Sequence, residues 1–327
     1  MFLALALLLA TADAAYLVPA TVHENLLLVP VRVNGGPPRT FLLDTAAPTS
    51  YIDPHLTKAG PATLSIAGKR VRVPKLATLD LAFFEAISGK HLDGVIGMDV
   101  FQQFVVEMDY DAGLVRLHDP ATFTPPPDVA AIPVTLVKNR PFVRVELKVA
   151  GHDAVTRDDL VDSGSGGALA DPLFKSDGGE PIGPDLARAE RFVLGPFRLE
   201  GINATSGDAK FGGELLHRFH VIADFPHQRL FLEPNRYFGD AWLFDTSGLE
   251  LEQGRDGLVI AQVYARSPGA EAGLQKGDII TAIDGQSALV LGVDRVWKAF
   301  HSVRTHALVV RRGTRTLHVT LALRRML

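Results

Sequence analysis

The sequence predicts a mainly β protein built as two duplicated lobes followed by a third, smaller domain. Three observations carry this. Phe41-Leu42-Leu43-Asp44-Thr45-Ala46 and Asp159-Leu160-Val161-Asp162-Ser163-Gly164 lie 118 residues apart and share one pattern: two apolar residues, Asp, a hydroxyl residue, a very small residue. Before each, at Val29–Gly35 and Val145–Gly151, apolar and polar residues alternate and reach a Gly-containing turn, as a hairpin arm does. After each, Gly, Phe and Asp recur in register over 97–110 and 212–225; the Gly follows its Asp by 53 residues in the first half and 50 in the second. Ordered recurrence of three elements indicates an internal repeat.

Taken from the N-terminus, Phe2–Ala10 is an apolar run ending near Ala12-Asp13-Ala14, which predicts a signal peptide over 1–14 and an exported, periplasmic or secreted protein. A buried N-terminal helix or an uncleaved anchor is the alternative, because no Lys or Arg precedes the run. Residues 20–123 form the first lobe. The prolines of 123–128 form an extended linker, and residues 129–236 form the second lobe. Residues 240–327 follow a different pattern: a strand at 257–263, a short helix with a Gly stop at 267–274, a strand closed by a turn at 276–285, a helix over 293–303, and two strands around Arg312-Gly313-Thr314.

Composition narrows the function. Of 327 residues 47% are hydrophobic, enough for packed cores, and the formal net charge is −4. No basic stripe points to nucleic acid. No other apolar stretch is long enough to span a membrane. The absence of cysteine removes disulfides, thiolate catalysis and Cys zinc sites together. His23-Glu24 lacks a second His at helical spacing, so no metal or other cofactor is expected. One carboxylate per half, Asp44 and Asp162, is the pattern that paired-acid hydrolysis requires: two acids that share a proton can activate water and protonate a carbonyl oxygen.

The two halves resemble the retropepsin-like aspartic proteases, the pepsin clan, in a single-chain bilobal form. The likeness rests on Leu43-Asp44-Thr45-Ala46, Val161-Asp162-Ser163-Gly164, and the segments Val95-Ile96-Gly97 and Lys210-Phe211-Gly212. Residues 248–324 resemble a bacterial PDZ domain, most closely over Ser267–Gly285. The resemblance implies an aspartic endopeptidase with Asp44 and Asp162 as catalytic dyad, and with Thr45, Ser163, Ala46 and Gly164 supporting the two loops. It implies a peptide or protein substrate. It also implies a flap, for which the 63–73 hairpin with its tip at Ala67-Gly68-Lys69 is the candidate, an ordinary surface hairpin being the other reading. The sequence departs from the family at Ala46, where Gly is usual; a catalytically degenerate, exported peptide-binding protein is therefore the alternative. A serine protease with a PDZ domain is a further one, on Ser163-Gly164-Ser165-Gly166-Gly167. In the PDZ-like domain the loop Gly248, Leu249, Glu250 and Leu251 is expected to capture a peptide's terminal carboxylate, with Val296 and Phe300 lining the side-chain pocket or the core. Asp158 and Asp159 read as solvated turn residues.

Overall fold

The computed structural model describes residues 15–174 and 187–326. The expected export signal lies outside them. The mainly β expectation holds, and the two lobes share one strand order. In the first lobe the sheet runs Thr21–His23, Leu26–Val33, Pro38–Leu43, Gly94–Ile96, Tyr51–Ile52, Lys69–Thr78, Gly60–Ile66. In the second it runs Ile132–Val137, Arg140–Val149, Val155–Asp162, Lys210–Gly212, Leu169–Ala170, Phe197–Thr205, Ala187–Leu194. Pairing senses match as well. Pro38–Leu43 lies parallel to Gly94–Ile96, as Val155–Asp162 does to Lys210–Gly212. In each lobe the second strand also pairs with the last, closing the sheet on itself. Identical connectivity is what a duplicated sequence should produce.

A six-stranded antiparallel sheet joins the lobes, in the order Tyr16–Pro19, Leu114–His118, Val105–Asp109, Phe219–Asp224, Arg229–Pro234, Ile132–Val137. Its centre is the pair Val105–Asp109 and Phe219–Asp224, with Val106 opposite Ala223 and Met108 opposite Val221. A pseudo-twofold axis passes between these strands and relates the lobes. All four of those side chains are buried in a core continuous across both lobes. Full burial of a Val or Met side chain contributes about 1.5–3 kcal/mol of transfer free energy, so the joint is firm.

One element breaks the symmetry. Helix Ala82–Ser88 is inserted in the first lobe, where the second has only residues 206–209. The Asp80 carboxylate accepts from the Ala82 N–H at its start, and Gly89, at φ 66°, ends it with a left-handed cap bonded to the Glu85 carbonyl. Leu81 and Phe84 pack it on the sheet beside Leu26, Leu28 and Leu42. Phe83 and Ile87, four apart on the opposite face, stay exposed.

The 63–73 hairpin is not placed as a flap. Its turn lies near the inter-lobe sheet, where the Lys69 ammonium sits 5.1 Å from the Tyr16 ring centroid and 5.8 Å from that of Phe104. Asp159 corrects the solvated-turn reading. It lies on a strand, is only 1% exposed, and accepts from Arg157, which also pairs with buried Asp171. Asp158 is exposed and pairs with Arg144.

The stretch after Pro234 belongs by its contacts to the second lobe, beyond the 236 boundary read from sequence. Arg218 donates to the carbonyls of Tyr237, Asp240 and Ala241, and its guanidinium stacks 3.6 Å from the Trp242 ring centroid. Arg188 reaches the Trp242 carbonyl and Asn203 that of Leu243. Phe238 and Trp242 pack on the lobe's core. The third domain has its own core, under the sheet Leu249–Gln253, Leu258–Val263, Ile279–Ile283, Thr305–Arg312, Arg315–Ala322. Its short helix Pro268–Glu271 starts where Ser267 accepts from the Ala270 N–H, with Pro at the first position. Its longer helix, Ala288–Ala299, ends earlier than the 303 expected from sequence and is broken at Gly292.

Candidate active site

Asp44 follows strand Pro38–Leu43 and Asp162 ends strand Val155–Asp162, so each carboxylate stands where a central strand of its lobe meets the other lobe. Both line one cleft of about 510 Å³, together with Ala46, Pro48, Tyr51, Leu79 and Gly164. No residue of 60–78 lines it.

The two loops grip each other through the hydroxyls. Thr45 Oγ1 donates to the Val161 carbonyl (2.6 Å) and accepts from the Ser163 N–H (3.0 Å). Ser163 Oγ donates to the Leu43 carbonyl (2.9 Å) and accepts from the Thr45 N–H (3.0 Å). Thr45 and Ser163 are both essentially buried, so each bond is made away from competing water. A second symmetric brace was not anticipated from sequence. Asn25 donates to the Gly166 carbonyl and Asn139 to that of Pro48. Both carbonyls stand four residues past their Asp. Each Asn sits in a two-residue hairpin turn with both φ positive, Glu24-Asn25 and Lys138-Asn139, a geometry that Asn tolerates well. An Asn recurring just before each hairpin arm is the signal that could have revealed the pair.

Glycines set the approach. A Cβ on Gly97 would lie 2.3 Å from the Thr49 carbonyl oxygen, and one on Gly212 2.6 Å from those of Ser165 and Gly167. Each therefore lets a strand end pass behind its Asp loop. A Cβ on Gly164 would lie 2.3 Å from the Asp44 carboxyl carbon, so the carboxylate occupies the space that a side chain would need.

Asp44 Oδ1 accepts from the N–H groups of Ala46 (2.8 Å) and Ala47 (3.2 Å), and Asp162 Oδ1 from that of Gly164 (3.1 Å). Burial, and then the neighbouring Asp162, push the Asp44 carboxyl up from 3.8 to about 6, against the pull of those two N–H groups and of Lys210. Lys210 was not assigned a role from sequence. Its Nζ lies 2.9 Å from Asp162 Oδ2. Ser163 is 1% exposed and bonded on both sides, with the neighbours just described and no histidine among them. Among the described residues, no group of three or more His, Asp or Glu is placed to hold a metal, and no helix is long and apolar enough to cross a membrane.

In the third domain, strand Leu249–Gln253 is a sheet edge. A cavity of about 440 Å³ beside it is lined by Gly248, Leu249, Glu250, Leu251 and Trp297, and by Ile87 from the first-lobe helix. Val296 and Phe300 are in the domain core, 1% and 2% exposed, so the pocket wall falls to Trp297 instead. The loop's amides are already engaged. Asp245 Oδ1 accepts from the N–H groups of Ser247 and Gly248, and Ser247 Oγ from that of Leu249.

No curated protein matches this sequence. Similar solved structures include an aspartic proteinase from Irpex lacteus (13% identity, TM-score 0.45, covering 69% of this chain and 99% of that one) and basic 7S globulin from soybean (9% identity, TM-score 0.46, 71% and 98%). The PDZ domain of HtrA3, solved with a phage-derived ligand, is similar over 24% of this chain and 83% of its own, at 23% identity and TM-score 0.22. The family model for PDZ domains matches residues 259–301, and the mainly β chain therefore ends in a PDZ domain.

Proposed function

We propose that the protein is an aspartic-type endopeptidase, exported to the periplasm or the medium, whose PDZ domain binds substrate or partner peptides. The observation that carries the reading is the buried, reciprocal Thr45–Ser163 lattice, which brings Asp44 and Asp162 to one cleft from two lobes of identical topology. A water held between the carboxylates attacks the scissile carbonyl carbon. The charged carboxylate takes the water's proton and the neutral one protonates the carbonyl oxygen. The burial of Ser163 favours this over the serine-nucleophile alternative.

Hydrolysis needs one proton on the dyad, and Asp44 releases its own near 6. Cleavage of an unfolded protein is therefore expected to be best in mild acid and to fall as pH rises through about 6. Rates that stay flat to pH 8, or cleavage that a metal chelator abolishes, would count against the reading. Complete inactivity of correctly folded protein between pH 3 and 7 would favour the degenerate, peptide-binding alternative.

The PDZ loop gives a separate expectation. A peptide's terminal carboxylate must displace the Asp245 side chain to reach the amides of Ser247 and Gly248. Asp245→Ala should raise affinity for short hydrophobic C-terminal peptides by about tenfold, roughly one freed charge-assisted bond. Fluorescence anisotropy with a labelled peptide, beside a melting curve to check folding, reads it; equal or weaker binding by the folded variant would mean that carboxylate capture occurs elsewhere.

A further inference from the structure

The lobes are related by symmetry, yet the two carboxylates are not equivalent. In the first lobe Leu42 pairs with Val95, two positions before Asp44. At the matching register of the second lobe Leu160 pairs with Lys210. An apolar wall residue on one side of the cleft is thus a lysine on the other, and its ammonium reaches Asp162 Oδ2 at 2.9 Å. The loops differ too. On the second, Gly164 leaves open the space that the Asp44 carboxylate fills. On the first, the equivalent position is Ala46. Lys210 gives Asp162 a partner on the oxygen that the Gly164 N–H leaves free.

We propose that Lys210 is a positioning residue that divides the work of the dyad, holding Asp162 as the charged partner and leaving the transferable proton on Asp44. The proposal rests on the peptidase reading. In the first step the water oxygen bonds to the carbonyl carbon and its proton goes to Asp162, while the carbonyl oxygen takes the proton from Asp44. In the second, Asp162 returns its proton to the amide nitrogen as the C–N bond breaks, and Asp44 recovers one from the diol. Atoms and charge balance, and no other reactant is needed. In a symmetric dyad either acid can hold the proton; an ammonium hydrogen-bonded to one of them removes that degeneracy. The raised Asp44 carboxyl agrees with this assignment. The other charged or titratable groups on the cleft wall are Arg140, Asp208 and Tyr51. None of these has a hydrogen bond or ion pair to either catalytic carboxylate.

The test compares wild type, Lys210→Met and Lys210→Arg in the full chain. Losing a cation beside the dyad makes both of its protons harder to remove, so both limbs of the pH profile of kcat/KM should move to higher pH in Lys210→Met. A displacement of at least one pH unit is expected, with kcat at the optimum down about tenfold, and Lys210→Arg should keep the wild-type limbs. A merely structural lysine would lower activity or melting temperature without moving them. Limbs of Lys210→Met that coincide with wild type overturn the proposal. Carboxyl-carbon NMR titration of Asp44 and Asp162 in the same proteins gives a readout free of turnover. If the titration steps move but no protein cleaves peptide, the Lys210 assignment stands and the peptidase reading fails; if peptide is cleaved and the steps do not move, the reverse holds.

Discussion

Asp44→Asn and Asp162→Asn are each expected to reduce peptide hydrolysis by at least about 10³-fold, because each removes one of two groups that must exchange protons in the same step. Asp44→Asn should also be more stable than wild type at neutral pH. A carboxyl raised by burial from 3.8 to about 6 opposes folding wherever the unfolded chain ionises it more readily. The sign follows from linkage. Below about pH 4 the group is protonated in both states and the variant gains nothing. Between about 4 and 6 the unfolded state ionises first, and the gain grows. Above 6 it is constant, at about 3 kcal/mol by the size of the displacement, less whatever the amide loses in its bonds to Ala46 and Ala47. Denaturant unfolding at pH 4 and pH 7 measures both ends. Residual activity above one per cent in either folded variant would remove the dyad from the mechanism, and an Asp44→Asn protein less stable at pH 7 than wild type would mean that the carboxyl is not strained by burial.

What the sequence made legible was local and repeated. Leu-Asp-Thr and Val-Asp-Ser in matching contexts located both carboxylates and the hydroxyls that lace the loops, because strand alternation, turn and loop chemistry all lie within a few residues of each Asp. The lobes' shared topology followed from the same repeat. What was not legible depends on register across strands far apart in the chain. Lys210 stood within a weak motif in the sequence, yet its ammonium finds Asp162 only once Lys210–Gly212 pairs beside Val155–Asp162. The 63–73 hairpin has the right distance from Asp44 for a flap, but sequence spacing does not say which end of a sheet a turn occupies. Val296 and Phe300 are spaced for one helix face, and spacing alone cannot separate core from groove; the face turned inward. Helix Ala82–Ser88 breaks the repeat, so the repeat could not announce it.

Gly164→Ala should be the most damaging single methyl in the cleft. The added Cβ would stand 2.3 Å from the Asp44 carboxyl carbon, a distance that real Cβ contacts do not reach. Something must give, and the choices are few. The loop is fixed by Ser163, whose backbone and hydroxyl take part in three of the four lattice bonds, and by the Gly164 N–H to Asp162. The Asp44 side chain, held by two N–H groups on one oxygen, is the softer element, so the carboxylate rotates or withdraws. A displacement near 1 Å in a reacting group costs about 10²-fold in rate, and kcat is expected to fall by that much or more. KM should change less, since the rest of the cleft wall is untouched. The fold should survive: overpacking by one methylene costs about 1–3 kcal/mol where backbone cannot move, and less where a side chain at a cleft can turn into solvent. Kinetics and a melting curve on the same preparation check this. A folded Gly164→Ala protein with wild-type kcat would show that the Asp44 carboxylate does not work from its position against Gly164. The symmetric position on the other loop already carries a methyl, as Ala46, so Gly164→Ala would make the two loops alike at this position.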